Sequence, residues 1–325
     1  MKHPELAHDI MVSRLITLRP EMHVFKGVAH LLKNNITGAP VVAPQGNYLG
    51  VFSEKCCMSV LTLTAQLACE DEKNLAHRLH AKDVMVSRLL TLSPEMDVFD
   101  AIGLLLKNHI SGAPVVDRDQ NFLGVFSEKT SMRVLISSAY DQLPTTRVEA
   151  FMNEESQRVI DEDLDLISIA QIFLDTPYRR LEVLRDGRLL GQISRRDVLK
   201  AQHHLSKFVS NPDDNLTNNN WMIHRSDGDS EASDEEVPTP EVGSFMDQKA
   251  RTIDEETDFL EIARIFLDTP YRRLPVLRDQ ELVGQISRRD VLNAAHDLMA
   301  VPPPKQETTL LYLSSIVERN DAPID

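Results

Sequence analysis

Two short segments of the chain carry residue types that could hold a charged ligand. They read Ser194-Arg-Arg-Asp197 and Ser287-Arg-Arg-Asp290, and each follows a Gly-x-x turn at the predicted start of a helix. The free N–H groups and the positive dipole end of a helix attract phosphate. A carboxylate one turn into the helix can accept hydrogen bonds from two neighbouring hydroxyl groups, such as those of a ribose. The chemistry that these segments suggest is the binding of a nucleotide.

Serine and aspartate at this spacing can also form a capping box, which stabilises a helix start by about 1 kcal/mol without any ligand. Taken alone, the motif favours that interpretation. The arginines between the two residues favour a ligand, because they add positive charge where the helix dipole is already positive. Glu54 and Glu128, which occupy the first turn in other parts of the chain, are what helix stability alone would prefer. An anion bound at the helix start would explain the arginines, and solvated surface charge is the alternative.

A second arginine pair lies upstream of each segment, directly before a predicted strand. These residues are Arg179, Arg180, Arg272 and Arg273. Surface ion pairs with Asp175 and Asp268 could account for some of them, but the total exceeds what surface solubility requires.

The two segments belong to a fourfold internal repeat. Asp9–Leu61 and Asp83–Leu135 align without a gap and share 34 of 53 residues, and repeats three and four align at an offset of 93. Between repeats one and two on one side and repeats three and four on the other, only a few positions are identical. Cys56 and Thr130 replace the aspartate in repeats one and two. The chain therefore contains two older units, each duplicated once. A methionine opens each repeat: Met11, Met85, Met152 and Met246.

The hydrophobic periodicity alternates within each repeat. In repeat one, Leu15–Leu18 is a β-prone run, and apolar residues then recur at helical spacing over Val24–Leu32. Pro40–Val42 and Tyr48–Phe52 follow as two strands joined by a turn, and a second helix starts at Ser53. The other repeats keep this order. The predicted fold class is α/β, more narrowly α+β, built from β-α-β-β-α units.

A unit of this size has only a marginal core, so pairing through the sheets is expected. The pattern resembles the cystathionine-β-synthase (CBS) domain family, whose domains associate in twos as Bateman modules. The resemblance covers residues 11–61, 85–135, 152–200 and 246–293, and it is closest at Arg273–Leu277 and Gly284–Asp290. Repeat three has Glu182 where the other repeats have proline, which we expect to loosen the entry to that strand. Four repeats paired into two Bateman modules are predicted.

In many members of this family the ligand motif is Gly-h-x-(Ser/Thr)-x-x-Asp, where h is an apolar residue and x is any residue. Asp197 and Asp290 match it, and Cys56 and Thr130 do not. The resemblance further implies that the first strand of a repeat holds the base. It favours AMP, ADP or ATP over S-adenosylmethionine, which carries no phosphate for the arginines. The predicted ligand-binding residues are Ser194, Arg195, Arg196, Asp197, Ser287, Arg288, Arg289, Asp290, Arg179, Arg180, Arg272, Arg273, Val159, Ile160, Thr252 and Ile253.

Repeats one and two are expected to form a structural half, for dimerisation or for docking of a partner protein. Glu54-Lys55 and Glu128-Lys129 could still contact a polar ligand. Repeats three and four, with both aspartates, are expected to form the sensor half around a cleft between them.

Composition excludes several classes of function. The net charge of −15 disfavours general nucleic-acid binding, because such binding relies on cations that neutralise phosphates. No apolar run is long enough to span a membrane, and the first residues lack a signal peptide, so a cytoplasmic protein is expected. Three cysteines form no disulfide framework, and the adjacent Cys56 and Cys57 lack metal-site spacing. No nucleophile–base set, P-loop, dinucleotide fingerprint or zinc signature is present.

The sequence therefore predicts a non-catalytic regulatory protein, without a cofactor or metal, that binds an adenine nucleotide in repeats three and four. Binding would change the affinity for an unknown protein partner, and the chain is expected to be a homodimer. The alternative is a ligand-free scaffold or dimerisation adaptor. The predicted boundaries are 8–62, 82–137, 149–203 and 243–298 for the repeats, 204–242 for an acidic flexible linker that contains Trp221, and 299–325 for a C-terminal tail.

Overall fold

The computed structural model describes residues 6–67, 79–140, 145–154, 156–209 and 240–300. Each repeat has a first helix, an antiparallel hairpin and a second helix, as the sequence predicts, and also a short lead-in helix or turn that the sequence did not predict. Repeat one consists of α1 (Ala7–Ile10), α2 (Val24–Lys33), β1 (Gly38–Val42), β2 (Tyr48–Ser53) and α3 (Glu54–Leu67). Repeat two consists of α4 (Ala81–Val84), α5 (Val98–Lys107), β3 (Gly112–Val116), β4 (Phe122–Ser127) and α6 (Glu128–Tyr140).

Repeats three and four each gain a first strand, which pairs in parallel with the hairpin. Repeat three consists of 3-10 turns at Val148–Ala150 and Ser156–Arg158, β5 (Val159–Asp161), α7 (Leu166–Asp175), β6 (Arg180–Arg185), β7 (Arg188–Ser194) and α8 (Arg195–Val209). Repeat four consists of α9 (Val242–Phe245), β8 (Ile253–Asp254), α10 (Phe259–Asp268), β9 (Arg273–Arg278), β10 (Glu281–Ser287) and α11 (Arg288–Ala300). The predicted mixed α/β class is confirmed, with four small sheets, one for each repeat.

The first strand that the sequence predicts in repeats one and two is reduced to a single bridge. Leu18 pairs with Val41, and Leu92 pairs with Val115, both in parallel. The next bond of such a ladder would require an N–H group at Pro20 or Pro94, and proline has none. In repeat one the side chain of Arg19 donates to the carbonyl of Val42 instead, at 3.3 Å.

Glu182 lengthens a strand pairing rather than loosening it, so that expectation was wrong. β5 pairs with β6 from Val159 opposite Glu182, whereas β8 begins one position later, at Ile253 opposite Val276. The residue of repeat four that corresponds to Glu182 is Pro275, which restricts the strand entry through its ring. Glu182 has no such ring, and the parallel pairing of β5 with β6 therefore begins one residue earlier.

The sheets pair repeat one with repeat four and repeat two with repeat three, which corrects the predicted pairing of three with four. Met11-Val12 lies along β10, where Val12 and Gln285 exchange two backbone hydrogen bonds of 2.9 and 3.0 Å. Val86 and Gln192 form the equivalent pair between repeats two and three, at 2.9 and 3.0 Å. We call repeats one and four the outer module and repeats two and three the inner module.

Each lead-in segment lies on the partner repeat of its module. Ala7 donates to the carbonyl of Thr257 in repeat four, and Val242 donates to the carbonyl of Met22 in repeat one. The inner module repeats this exchange, since Ala81 donates to Leu164. The exchange ties the two repeats of a module together at both ends of the sheet.

The glycines of two Gly-x-x-Ser turns lie where the backbone of the partner repeat comes close. A Cβ atom on Gly50 would lie 2.7 Å from the carbonyl oxygen of Asp247, in the segment that follows the lead-in helix of repeat four. A Cβ atom on Gly124 would lie 2.8 Å from the carbonyl oxygen of Asn153. At these two glycines the close approach is therefore made by the backbone of the partner repeat.

The two modules contact each other through helices. α3 of repeat one packs against α7 and α8 of repeat three, and α6 of repeat two packs against α10 and α11 of repeat four. The apolar cores follow these contacts: Phe52 and Phe173 are fully buried in one cluster, and Phe126 and Phe266 in the other.

The predicted acidic linker starts inside α8, which continues to Val209. Most of that linker, with Trp221, and the tail from residue 301 lie outside the described residues. Among the helices that the structure does describe, none combines the length and the apolar character that a membrane crossing requires.

Candidate functional site

Asp197 and Asp290 each close a capping box at the start of a helix. Oδ2 of Asp197 accepts hydrogen bonds from the backbone N–H of Ser194, at 2.8 Å, and from its hydroxyl group. Asp290 makes the same contacts with Ser287, both at 2.7 Å. Both carboxyl groups are half-buried, and within the described residues no hydrogen bond reaches their Oδ1 atoms. Both residues therefore act as helix caps through Oδ2, and Oδ1 of each carboxylate is left without a hydrogen bond in the described part of the chain.

Repeats one and two replace the carboxylate by a thiol and a hydroxyl group, each of which contacts the serine. The Sγ atom of Cys56 lies 3.4 Å from the hydroxyl of Ser53, and the Thr130 hydroxyl lies 3.2 Å from that of Ser127. Neither side chain offers an anionic oxygen. The chemical difference between the repeat types, which the sequence indicates, is therefore present at equivalent positions of the fold.

Arg195 and Arg288 face the protein interior. Arg195 is 5% exposed, and its Nη2 donates to the carbonyls of Phe173 and Thr176, at 2.9 and 3.2 Å, at the end of α7. Arg288 repeats these contacts at the end of α10. Burial lowers the pKa of both guanidinium groups to about 10. These two arginines satisfy helix-end carbonyls, a role that the sequence did not predict.

Arg180 and Arg273 reach across the sheet interface of their own modules. Nη1 of Arg180 donates to the carbonyl of Gly112 in repeat two, at 3.1 Å, and Nη1 of Arg273 donates to that of Gly38 in repeat one, at 3.3 Å. Burial, followed by the charge of Arg272, lowers the pKa of both groups. Each lies within electrostatic reach of the aspartate of its own repeat, Asp197 or Asp290.

Three other arginines form ion pairs between the modules. Arg196 of the inner module contacts Glu54 of the outer module at 3.0 Å. Arg272 and Arg289 of the outer module contact Glu128 of the inner module at 2.9 and 3.3 Å. The glutamate side chains are only 9% and 4% exposed. The two acids at helix starts in repeats one and two therefore serve as counter-ions for the arginines of repeats three and four.

Arg179 is the eighth arginine and differs from the rest. Within the described residues its side chain makes no hydrogen bond or ion pair, although its backbone carbonyl accepts from Arg195 N–H at 3.2 Å. Burial lowers its pKa well below the usual value, and the charges of Arg272, Arg195 and Arg288 lower it further. Arginines from both modules therefore meet around this side chain at the centre of the molecule.

The first strands place their predicted base-binding residues on alternate faces. Ile160 and Ile253 are buried in the cores, at 6% and 7% exposure, whereas Val159 and Thr252 are half-buried on the opposite face. Of the four, Val159 and Thr252 have side chains that a ligand could contact. In each predicted pair, therefore, one residue belongs to the core and the other lies on the face that a ligand could reach.

Glu182 is a polar residue of the inner module that the sequence marked only as a departure from proline. It is 1% exposed, and both carboxylate oxygens accept from Nε2 of Gln192, at 2.9 and 3.0 Å. Burial raises its pKa to about 7, against the opposing effects of Gln192, Arg158 and Arg180. It lies opposite Val159, in the strand pair where the base was predicted to bind.

The arrangement can hold an anion with attached hydroxyl groups. Two helix starts with half-available carboxylates lie in separate modules, and their arginines converge on one centre. Among the described residues no group of three His, Cys, Asp or Glu side chains could hold a metal ion.

The class of protein follows from comparison with known families. The CBS domain model matches residues 7–62, 81–130, 148–204 and 242–297. The chain therefore belongs to the CBS domain family and carries four such domains.

Individual relatives are distant. Protein MJ1225 of Methanocaldococcus jannaschii is 22% identical over 287 residues, which cover 86% of this chain and 94% of that protein. Its crystal structure covers 89% of this chain and 99% of its own at 19% identity, with a TM-score of 0.37. CBSX2 of Arabidopsis thaliana, solved in complex with AMP, covers 39% of this chain and 98% of its own at 29% identity, with a TM-score of 0.34.

Matches to enzymes are confined to part of the chain. The inosine-5'-monophosphate dehydrogenase of Aquifex aeolicus is 25% identical over 121 residues, which are 37% of this chain and 24% of that enzyme. MJ1225, by contrast, aligns over most of both chains.

Proposed function

We propose that this chain is a non-catalytic regulatory protein that binds AMP, ADP or ATP beside Asp197 and Asp290. One binding cleft would lie in each module. The free Oδ1 of each aspartate would accept hydrogen bonds from the ribose, and the phosphates would extend towards the arginines at the centre. S-adenosylmethionine fits less well, because it offers the arginines no phosphate.

The observation that carries the proposal is the pairing of each capping-box aspartate with arginines. Eight arginines surround the two helix starts, and the acids within their electrostatic reach include Glu54, Glu128, Glu182 and the two aspartates. An excess of buried positive charge is costly unless an anion compensates it. A phosphate-bearing ligand would provide that compensation and would change the ion pairs between the modules.

Such a change would alter how the modules are held together, and with it the affinity for a partner protein. The mechanism requires that the nucleotide bind two arrangements with different affinity. Homodimerisation, a cytoplasmic location and the existence of a protein partner are further parts of the proposal.

The test is thermal unfolding with AMP, ADP, ATP and S-adenosylmethionine. A nucleotide at one hundred times its Kd should stabilise the fold by about 2.7 kcal/mol for each cleft that it fills. Asp197→Ala combined with Asp290→Ala should abolish that rise in Tm, whereas Thr130→Ala, at the equivalent helix position, should retain it. If no nucleotide raises the Tm, or if the double variant keeps the full rise, the proposal is wrong. ATP that is hydrolysed on prolonged incubation would contradict the non-catalytic part.

A ligand-free scaffold is the second candidate, and the internal ion pairs favour it. Arg196, Arg272 and Arg289 already have carboxylate partners in the other module. Under this alternative the arginines only join the modules. The same titration separates the two functions, since a scaffold shows no nucleotide-dependent Tm.

A further inference from the structure

The sheet of repeat three carries a row of polar groups on the face turned away from the apolar core. In the register of the strands, Val159 lies opposite Glu182, and Glu182 lies opposite Gln192. Two positions further along the same strands, Arg180 lies opposite Ser194. Side chains two residues apart on a strand share a face, so the row adjoins the start of α8. A nucleotide held at that helix start would meet the row with its base.

The side-chain amide of Gln192 is fixed by the buried carboxylate of Glu182. Both carboxylate oxygens accept from Nε2 of Gln192, at 2.9 and 3.0 Å, and within the described residues no other hydrogen bond reaches this amide. A carboxylate only accepts hydrogen bonds, so turning the amide over would place Oε1 against the carboxylate oxygens. The amide therefore leans from β7 towards β6, in the direction of Val159. Its Oε1 is the atom left for a ligand.

The outer module has the glutamine but lacks the carboxylate. Pro275 lies opposite Gln285, and in the described part of the chain no hydrogen bond holds the Gln285 amide. That amide can therefore present either its oxygen or its nitrogen to a ligand. The glutamines replace the apolar residue of the family motif, which repeats one and two keep as Val51 and Val125. The two modules thus differ in a feature that the motif does not contain.

We propose that Gln192, held by Glu182, makes the inner cleft selective for 6-amino purines, whereas the outer cleft accepts 6-amino and 6-oxo purines alike. Oε1 of Gln192 accepts a hydrogen bond from the 6-amino group. A 6-oxo group brings a second acceptor against Oε1, and turning the amide over breaks its contact with Glu182. Gln192 is the specificity-determining residue, and Glu182 is a positioning residue that acts through it. The inference deepens the proposed nucleotide binding and rests on it.

Isothermal titration with AMP and inosine 5'-monophosphate (IMP) tests the selectivity, because the two ligands share the ribose and the phosphate. Two single-cleft proteins are compared at pH 8: Asp290→Ala keeps the inner cleft, and Asp197→Ala keeps the outer cleft. The inner-cleft protein should bind AMP at least about tenfold more tightly than IMP, because one hydrogen bond is replaced by a repulsive contact. The outer-cleft protein should show a preference below about threefold, since its amide can turn to suit either ligand.

Glu182→Gln in the inner-cleft protein tests the positioning role. Glutamine at this position can accept from Nε2 of Gln192 or donate to its Oε1, so the amide is no longer fixed. AMP should still bind, but its advantage over IMP should fall below about threefold. Gln192→Val should remove the advantage as well, whereas Gln285→Val in the outer-cleft protein should leave the ratio of the two Kd values unchanged.

The AMP preference of the inner-cleft protein should also depend on pH. Burial raises the pKa of Glu182 to about 7, against the opposing effects of Gln192, Arg158 and Arg180. A protonated carboxyl group can donate to Oε1 of Gln192, which allows both orientations of the amide. The preference should therefore be larger at pH 8 than at pH 6, and it should be the same at both in Glu182→Gln. A purely structural role of Glu182 would not change this ratio.

Equal ratios of the AMP and IMP Kd values in the two single-cleft proteins would overturn the proposal. A full AMP preference in Glu182→Gln would overturn the positioning role. In both cases AMP still binds, so the proposed function stands while this selectivity is lost. If the wild-type chain binds neither nucleotide, the proposed function and the selectivity are both wrong.

Discussion

The two arginines that begin α8 have different roles although they are neighbours in the sequence. Arg195 turns inward to the carbonyls at the end of α7, and Arg196 crosses to Glu54 in the other module. Successive residues of a helix point about 100° apart, so one helix turn can serve a core and an interface together. The same division holds for Arg288 and Arg289. An arginine pair at a helix start therefore does not by itself indicate two phosphate ligands.

The buried carboxyl group of Glu182 should make the stability of the inner module depend on pH. Its pKa is raised in the folded state to about 7, from an ordinary value of 4.5. The folded chain therefore binds a proton more tightly than the unfolded chain. The contribution of this carboxyl group to stability is fully present below about pH 4.5 and is lost as the pH rises through 7, by an amount on the order of 3 kcal/mol.

Glu182→Gln should remove that dependence. Urea denaturation at pH 5 and pH 8 should show a smaller loss of unfolding free energy in the variant than in the wild type. Glu21→Gln, at an exposed position, should follow the wild-type profile. If Glu182→Gln and wild type lose the same free energy between these pH values, the carboxyl group is already ionised in the folded chain at pH 5.

At the scale of elements, glycines fix the distance between a hairpin and the lead-in of its partner repeat. The space beside Gly50 is filled by backbone atoms of Asp247 and Gln248. The space beside Gly284 is filled by the side chain of Met11, which can change rotamer. The two positions are equivalent in the repeat but differ in how much their surroundings can yield.

Gly50→Ala should therefore cost more stability than Gly284→Ala. A shift of backbone costs about 1–3 kcal/mol, and the flexible methionine should absorb most of the strain in the second variant. Gly103→Ala is the control, because the site is inside α5 and no described atom outside the adjoining backbone of that helix lies within 4 Å of its added Cβ. That control should gain about 0.5–1 kcal/mol. Denaturant titration measures all three, and a loss in Gly284→Ala as large as that in Gly50→Ala would contradict the account.

The elements were largely predictable from the sequence, but their pairing was not. The periods of 3.6 and 2 in the apolar residues are local signals, so the helices and hairpins followed from them. The pairing depends on which sheet face meets which, and all four repeats present similar apolar faces. The first strands of repeats one and two were predicted too long, because the ladder stops at Pro20 and Pro94 after a single bridge.

The candidate site was predictable in its residue types and less so in their contacts. Ser194 and Asp197, with their repeat-four equivalents, lie together as the motif indicates. Their binding of a ligand stays a prediction. The partners of the arginines could not be predicted, because Glu54 and Glu128 lie more than a hundred residues away in the sequence. The sequence analysis noted Glu54 and Glu128 as acids at helix starts. That position was the sequence signal that could have identified them as partners of the arginines.

At the scale of the whole molecule, the duplication history explains the arrangement. Repeats one and two are close copies, as are repeats three and four, and each module contains one member of each type. The two modules are equivalent only if each pairs a repeat of the first type (one or two) with a repeat of the second type (three or four). The charge distribution follows, since each module then brings both a glutamate and a set of arginines to the centre.

The pairing of unlike repeats is the claim on which both the two clefts and the arginine centre depend. His23 pairs with Glu241 as a bridge without direct backbone hydrogen bonds, a geometry close enough for a disulfide. In a chain with Cys69→Ser, we expect His23→Cys with Glu241→Cys to form an intramolecular disulfide on oxidation.

The matched control is His23→Cys with His80→Cys. His80 holds the lead-in position of repeat two that Glu241 holds in repeat four, so this pair would be adjacent only if repeat one paired with repeat two. Non-reducing electrophoresis with mass spectrometry of the linked peptides should show the link between residues 23 and 241 and none between 23 and 80. A link between 23 and 80, with none between 23 and 241, would contradict the arrangement and both sites built on it.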